Sequence, residues 1–165
     1  MISAAPIAAL ARIHIFAGLR DDVLTHLAAH CRERHVEAGD VIVEENVMGR
    51  EMFLIGAGRV RIVGQHGRAG ETVLAELSEG DFFGEMSLIE CTRRSASAVA
   101  AEPGVLYALS NADIHGLFKK WPDQFSILIL NISRDLCRRL RKMNELVAAG
   151  RAERSWDFSP EVCLD

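Results

Sequence analysis

The residues whose types and spacing could do chemistry lie in one stretch, Phe83-Gly84-Glu85-Met86-Ser87-Leu88-Ile89, followed after Glu90, Cys91, Thr92 and Arg93 by Arg94-Ser95-Ala96-Ser97. Gly84 has no Cβ, so the main chain there can come close to a ligand, and the apolar run after it can open a helical turn with free amides. Such amides favour a phosphate. Glu85 repels an anion but accepts strongly from hydroxyls, which points to a ribose beside the phosphate. Arg94 supplies the counter-charge through its planar fork of donors, and Ser95 adds a hydroxyl. The chemistry indicated is recognition of a sugar phosphate. A Gly-Glu step is common where a turn meets a helix, and arginine pairs are common on surfaces, so the combination at fixed spacing carries the information.

That combination resembles the phosphate-binding cassette of the cyclic-nucleotide-binding domain family, F-G-E-[LM]-[AS]-L-[LI], a short spacer, then R-[AS]-A-[TS], and the likeness covers nearly the whole chain. The resemblance implies that the backbone at Gly84, Met86 and Ser87 holds a cyclic phosphate, that Glu85 takes the ribose, and that Arg94 and Ser95 contact the phosphate. Phe83, Leu88 and Ile89 would shape the cassette. Arg93 stands where many members have Pro, which removes a fixed φ before the arginine, and the register of the pattern favours Arg94 over Arg93 as the anion ligand. Ser97 stands where many channels and kinase regulators have a Thr that can contact guanine. It keeps the hydroxyl and loses the methyl. The family's last helix lies near the base and acts as a lid or dimer helix. Aligning Arg138-Arg139-Leu140 with the cyclic-AMP receptor regulators puts Met143 and Asn144 at positions where those proteins have hydroxyl residues. Asn144 could hydrogen-bond a base edge, and Met143 could only pack on it.

The rest of the chain must position this stretch. Its 165 residues suit one domain with a sizeable core and leave no room for a second catalytic domain. A formal net charge of -4 gives no overall attraction to nucleic acid or to an anionic membrane, although Arg134 to Lys142 form a local basic cluster. Met1 to Ala17 is apolar, but Arg12 and His14 interrupt it, so neither a signal peptide nor a membrane span is expected and a cytoplasmic protein is the simplest reading. Cys31, Cys91, Cys137 and Cys163 form no C-x-x-C pair, and no histidine spacing suggests a metal; reduced thiols are expected.

Pro6 to Ala29 reads as helical around a break at Gly18, with Asp21 or Asp22 as a cap. Short β-prone runs follow at His35-Val36, Val41–Val43, Met52–Ile55, Arg59–Val63, Thr72–Leu77, Ala96–Ala100 and Val105–Leu109, with turns at Gly39, Gly49, Gly58, Gly67, Gly70, Gly80 and Gly104. A tight turn needing φ > 0 is explanation enough for those glycines, and only Gly84 calls for a ligand. Ser110 to Asp113 starts a helix, Trp121-Pro122 breaks it, and the last helix is expected over about 122–148. On it Ile129, Ile132, Leu136, Leu140, Met143 and Val147 form an apolar stripe that could pack on its own domain or on a second copy.

The expected fold is α+β, an antiparallel, jelly-roll-like β-roll with N-terminal helices and C-terminal lid or dimer helices. A cyclic-nucleotide-binding domain would occupy about 1–148, with the roll near 31–110 and the C-terminal helices near 111–148, and residues 149–165 would form a tail. In that tail Trp156 and Phe158 could dock on a partner, act as a lid or cover the chain's own core. The expected function is non-catalytic: reversible binding of a 3′,5′-cyclic purine nucleotide, cAMP with cGMP as the alternative, and repositioning of the last helix to signal to an effector protein or a second copy. Direct DNA binding is not expected, because the residues after that helix are too few for a helix-turn-helix. The rival reading is a β-roll interaction or assembly protein that has lost nucleotide binding. A metal-dependent jelly-roll enzyme is disfavoured, because the cassette region holds no histidine.

Overall fold

Short β-branched and aromatic runs separated by glycines cannot bury their apolar faces singly, so they pair into sheets and the sheets stack. A computed structural model of the chain describes residues 4–150. In order these form α1 (Ala4–Arg12), a 3-10 turn (His14–Phe16), α2 (Asp21–His30), β1 (Arg32–Val36), β2 (Val41–Val43), β3 (Glu51–Ala57), β4 (Val60–Gly64), β5 (Thr72–Leu77), β6 (Phe82–Phe83), α3 (Glu85–Glu90), β7 (Ser97–Ala100), β8 (Gly104–Ser110), α4 (Asn111–Lys120) and α5 (Pro122–Gly150). The chain divides into two units, Met1–Ile132 and Ser133–Asp165.

In the first unit the strands make two four-stranded antiparallel sheets, β1-β8-β3-β6 and β2-β7-β4-β5. Val36, Ile42, Phe53, Ile55, Val60, Phe83, Ala98, Ala100, Leu106 and Ala108 form one buried cluster, with Val43, Ile62 and Leu77 partly buried against it. This is the expected jelly-roll-like β-roll with helices at both ends. Among the described residues β5 pairs only with β4, and its residues Thr72 to Glu76 are all exposed.

Several details differ from expectation. β1 begins at Arg32, because an edge strand exposed at Arg32 to His35 shows no apolar alternation to read. β6 is a two-residue strand that pairs Phe83 with Phe53 and Phe82 with Leu54. Asp21 and Asp22 do not cap α2. The cap position is Arg20, whose main-chain N–H donates to Gln124 Oε1 at 2.9 Å, and the two aspartates sit in the first turn, where they suit the helix dipole. Ser110 and Asp113 do close a capping box at the start of α4, with Asp113 N–H to Ser110 Oγ at 3.2 Å and Ser110 N–H to Asp113 Oδ2 at 3.0 Å.

Gln124, Leu128 and Ile132 are the buried residues of the first part of α5, so the buried line runs through Leu128 where the sequence pattern suggested Ile129. Asn131 Nδ2 donates to the carbonyls of Ile15 and Ala17 at 3.0 and 2.9 Å, satisfying acceptors that the 3-10 turn leaves open. In the second unit α5 continues through Gly150. Asp135 Oδ2 lies 2.6 Å from Arg139 Nε, and Leu140, Met143, Leu146 and Val147 are exposed at 60, 55, 65 and 44%. Trp156 and Phe158 lie outside the described residues. Among the described residues no helix is long and apolar enough to cross a membrane.

Candidate functional site

The site is built where β6 leaves the roll. Phe83 is held by its pairing with Phe53 and by stacking of the two rings, 5.2 Å between centroids and 16° between planes. The chain then turns through Gly84 at φ 85° and ψ 3° into α3, and no side chain caps the helix. A Cβ on Gly84 would lie 2.5 Å from Arg94 Nη1 and 3.0 Å from the Glu51 carbonyl oxygen, so both the left-handed φ and the space demand glycine. α3 ends at Cys91, also left-handed at φ 54°, which sends the chain back toward the roll.

The returning segment is laced to the loop between β2 and β3. Arg94 N–H donates to Val47 O at 2.8 Å, Asn46 N–H to Arg94 O at 2.9 Å, and Gly49 N–H to Thr92 O at 3.3 Å. The side chain of Arg93 points to the exposed side, where Nη1 donates to Asn46 O at 2.8 Å. The loop is thus held by hydrogen bonds at the position where many members of the resembled family have a proline ring.

Arg94 is buried. Its Nη1 donates to Gly84 O at 3.1 Å, its Nη2 donates to Glu51 O at 2.6 Å, and its Cζ stands 5.9 Å from the centre of the Phe53 ring. Burial pushes its pKa down and the charge of Glu85 pushes it back up, yet a guanidinium stays ionised in a protein. A cation inside the protein, hydrogen-bonded to main-chain carbonyls, still has N–H groups for an anion. Glu85 and Ser87 are each 3% exposed, so the start of α3 gathers a carboxylate and a hydroxyl beside the arginine. This arrangement can hold a negative group next to a hydroxyl-bearing one.

The structure brings Phe83, Gly84, Glu85, Ser87 and Arg94 together. Met86 is 44% exposed on the same short helix, and Ser95 is exposed directly after Arg94. Ser97 is buried at the start of β7; its Oγ accepts from Glu45 N–H at 3.0 Å and keeps its own proton to donate. Ile89 is 44% exposed near the end of the same short helix. Asn144 belongs to the second unit, on an exposed turn of α5.

Sequence reasoning missed the contribution of the β2–β3 loop. Gly49 and Gly104 lack positive φ, so the turn explanation fails for both. At Gly104 a Cβ would run into the carbonyl of Ala57, and at Gly49 into the side chain of Ser87. The main-chain carbonyl of Glu51 and the ring of Phe53 are likewise part of the site. No residue-type signal marks a carbonyl, and only the pairing of β3 with β6 reveals Phe53. A cavity of about 650 Å³ reaches Arg94 from this side, lined also by Arg34, Ile42, Arg50, Glu51 and Phe53, while Gly84 and Glu85 are not in its lining.

With this geometry in place, comparison with known proteins is informative. The profile of the cyclic nucleotide-binding domain family matches residues 33–120, which include every strand after the first residue of β1 and the whole cassette. The cyclic AMP receptor protein of Thermus thermophilus is 34% identical over 128 residues, 78% of this chain and 57% of that protein, so the chain spans somewhat over half the length of this relative. Among solved structures, the catabolite activator protein of Thermus thermophilus superposes with a TM-score of 0.70 at 32% identity, covering 82% of this chain and 62% of that one. A cyclic nucleotide-binding domain from Methylobacillus flagellatus gives a TM-score of 0.79 at 20% identity over 92% of this chain and 85% of its own, a likeness of fold.

Proposed function

We propose, because this chain belongs to the cyclic nucleotide-binding domain family, that it is a non-catalytic regulatory module that reversibly binds a 3′,5′-cyclic purine nucleotide, cAMP in preference to cGMP. The observation that carries the reading is Arg94, a buried cation whose hydrogen bonds run to the carbonyls of Gly84 and Glu51 beside the buried carboxylate of Glu85. Burying a charge costs several kcal/mol, roughly, unless something repays it, and a turn with only a structural task needs neither group. Arg94 and Glu85 offset one another in part, and in this reading a cyclic phosphate adds a partner to Arg94 and a ribose hydroxyl adds one to Glu85.

In this reading the main-chain amides at Gly84, Met86 and Ser87 and the guanidinium of Arg94 share the phosphate charge, Glu85 accepts from the 2′-hydroxyl, and Ser95 adds a donor. No bond in the ligand breaks. The preference for cAMP is supported by the name of the similar receptor from Thermus thermophilus. The signal leaves through α5, to an effector protein or to a second copy that joins along this helix. Residues 1–148 act as the binding domain, in the cytoplasm. Calorimetric titration with cAMP, cGMP and linear 5′-AMP tests the proposal. Saturable binding of a cyclic form, strongest for cAMP, is expected. Folded protein that takes up none of the three returns the roll to the rival role of an assembly module, which the exposed apolar residues of α5 favour.

A further inference from the structure

Gly49 is buried, and its φ lies outside the left-handed region, so its φ does not call for glycine. What forbids a side chain there is space. A Cβ would overlap the Cβ of Ser87, come 2.5 Å from Ser87 Oγ, and lie 3.1 Å from Arg94 Cζ. All three nearest atoms belong to the cassette, and none to the apolar core.

These contacts join the two halves of the anion site at one point. Ser87 sits in the first turn of α3, whose amides face the ligand in the reading above, and Arg94 carries the opposing charge. The loop that holds Gly49 also supplies Val47 O, which accepts from the main chain of Arg94, and it leads directly into β3, whose first residue supplies Glu51 O, which accepts from Arg94 Nη2. A methyl group added at Gly49 must push α3 outward or push this loop off Arg94. Either movement alters the gap between the helix amides and the guanidinium. We infer that Gly49 is a positioning residue of the anion site, setting that gap through its contact with Ser87 and Arg94. The inference rests on the ligand-binding reading for its functional consequence, and on the packing alone for its effect on Arg94.

The test is a size exchange. Gly49→Ala is compared with the double variant Gly49→Ala, Ser87→Gly, which takes away the Cβ and the Oγ that the new methyl would strike, with Ser87→Gly alone as reference. Two quantities are read: the Nε–Hε resonance of Arg94 in ligand-free protein, assigned by its loss in Arg94→Lys, and the dissociation constant for the cyclic nucleotide. Gly49→Ala is expected to move the resonance and weaken binding by about tenfold, as overpacking of a tight site does. The double variant is expected to return both toward the Ser87→Gly reference. A resonance unmoved by Gly49→Ala overturns the inference, as does a double variant that folds but restores neither quantity. If Gly49→Ala fails to fold, the double variant decides by whether it folds with Arg94 at the reference position. Wild-type protein that binds no nucleotide refutes the function proposed above, and the ligand-free resonance still decides this inference.

Discussion

The cassette and the far half of α5 break the usual inside-outside rule in opposite directions. At the cassette polar groups are buried: Glu85 at 3%, Ser87 at 3% and Arg94 at 7% exposure. Along α5 beyond Ile132, apolar groups face outward, with Leu140 at 60% and Leu146 at 65%. A buried charge demands a partner of the right sign at the right distance, so the first region is built for selectivity. An exposed apolar row is satisfied by almost any complementary surface, so in the reading proposed above the second serves association. On that reading the contrast separates what the molecule recognises from what it joins.

The largest expected effect breaks the first side of this contrast. Each charge-assisted hydrogen bond contributes about 1.5–3 kcal/mol, so Arg94→Ala should weaken cyclic nucleotide binding by at least about tenfold in a calorimetric titration while the protein stays folded. Unchanged affinity would remove Arg94 from the site. Glu85→Gln keeps the shape and loses the charge; a loss of about tenfold is expected for the ribose-bearing ligand, and a smaller loss for the 2′-deoxy analogue, which has no hydroxyl there. Equal losses for both would sink the ribose assignment.

On the other side, Leu140→Glu with Met143→Glu should convert a dimer to monomer in sedimentation velocity and leave the unfolding free energy within about 0.5 kcal/mol when both proteins are compared at a dilution where the wild type is monomeric. A wild-type protein that sediments as a monomer at every concentration would refute the homodimer. The smallest effect uses one exposed thiol in each region, Cys91 and Cys137. Saturating nucleotide should slow maleimide labelling of Cys91, and dilution in the absence of nucleotide should speed labelling of Cys137 alone. Labelling of Cys91 that nucleotide leaves unchanged, or dilution that speeds both, would erase the contrast. Cys31 serves as the silent reference, because burial, with help from the charge of Asp113, pushes its thiol up to about 12. The sign follows from linkage: the folded state holds this proton longer than the unfolded state, so Cys31 costs stability as pH rises from the ordinary thiol range toward 12.

The two regions also differ in how far the sequence discloses them. The cassette was legible because its chemistry rests on residue types at fixed spacing, from Phe83 through Arg94. The β-roll class, though not its strand order, followed from short runs and turns, and Ser110 to Asp113 announced the start of a helix that the structure closes with a capping box. Illegible were contributions that carry no side-chain signature: the carbonyl of Glu51, the two-residue β6 and the absent Cβ of Gly49. A glycine kept for closeness looks the same in a sequence as one kept for its backbone angle, and only Ser87 lying against Gly49 tells them apart. The periodicity of α5 was readable, but a repeat of three and four cannot say where apolar burial stops, and Ile132 is the last buried apolar residue before exposed Leu140 and Met143.

The two carbonyls that grip Arg94 have a consequence in time. A long, flexible side chain ordinarily has to find its pose after a ligand arrives, and this one is already posed by Gly84 and Glu51. In the reading proposed above, encounter needs no search by this side chain, so differences in affinity fall mainly to how long the ligand stays. A sensor made this way would hold the memory of its messenger in the escape rate and not in the rate of capture.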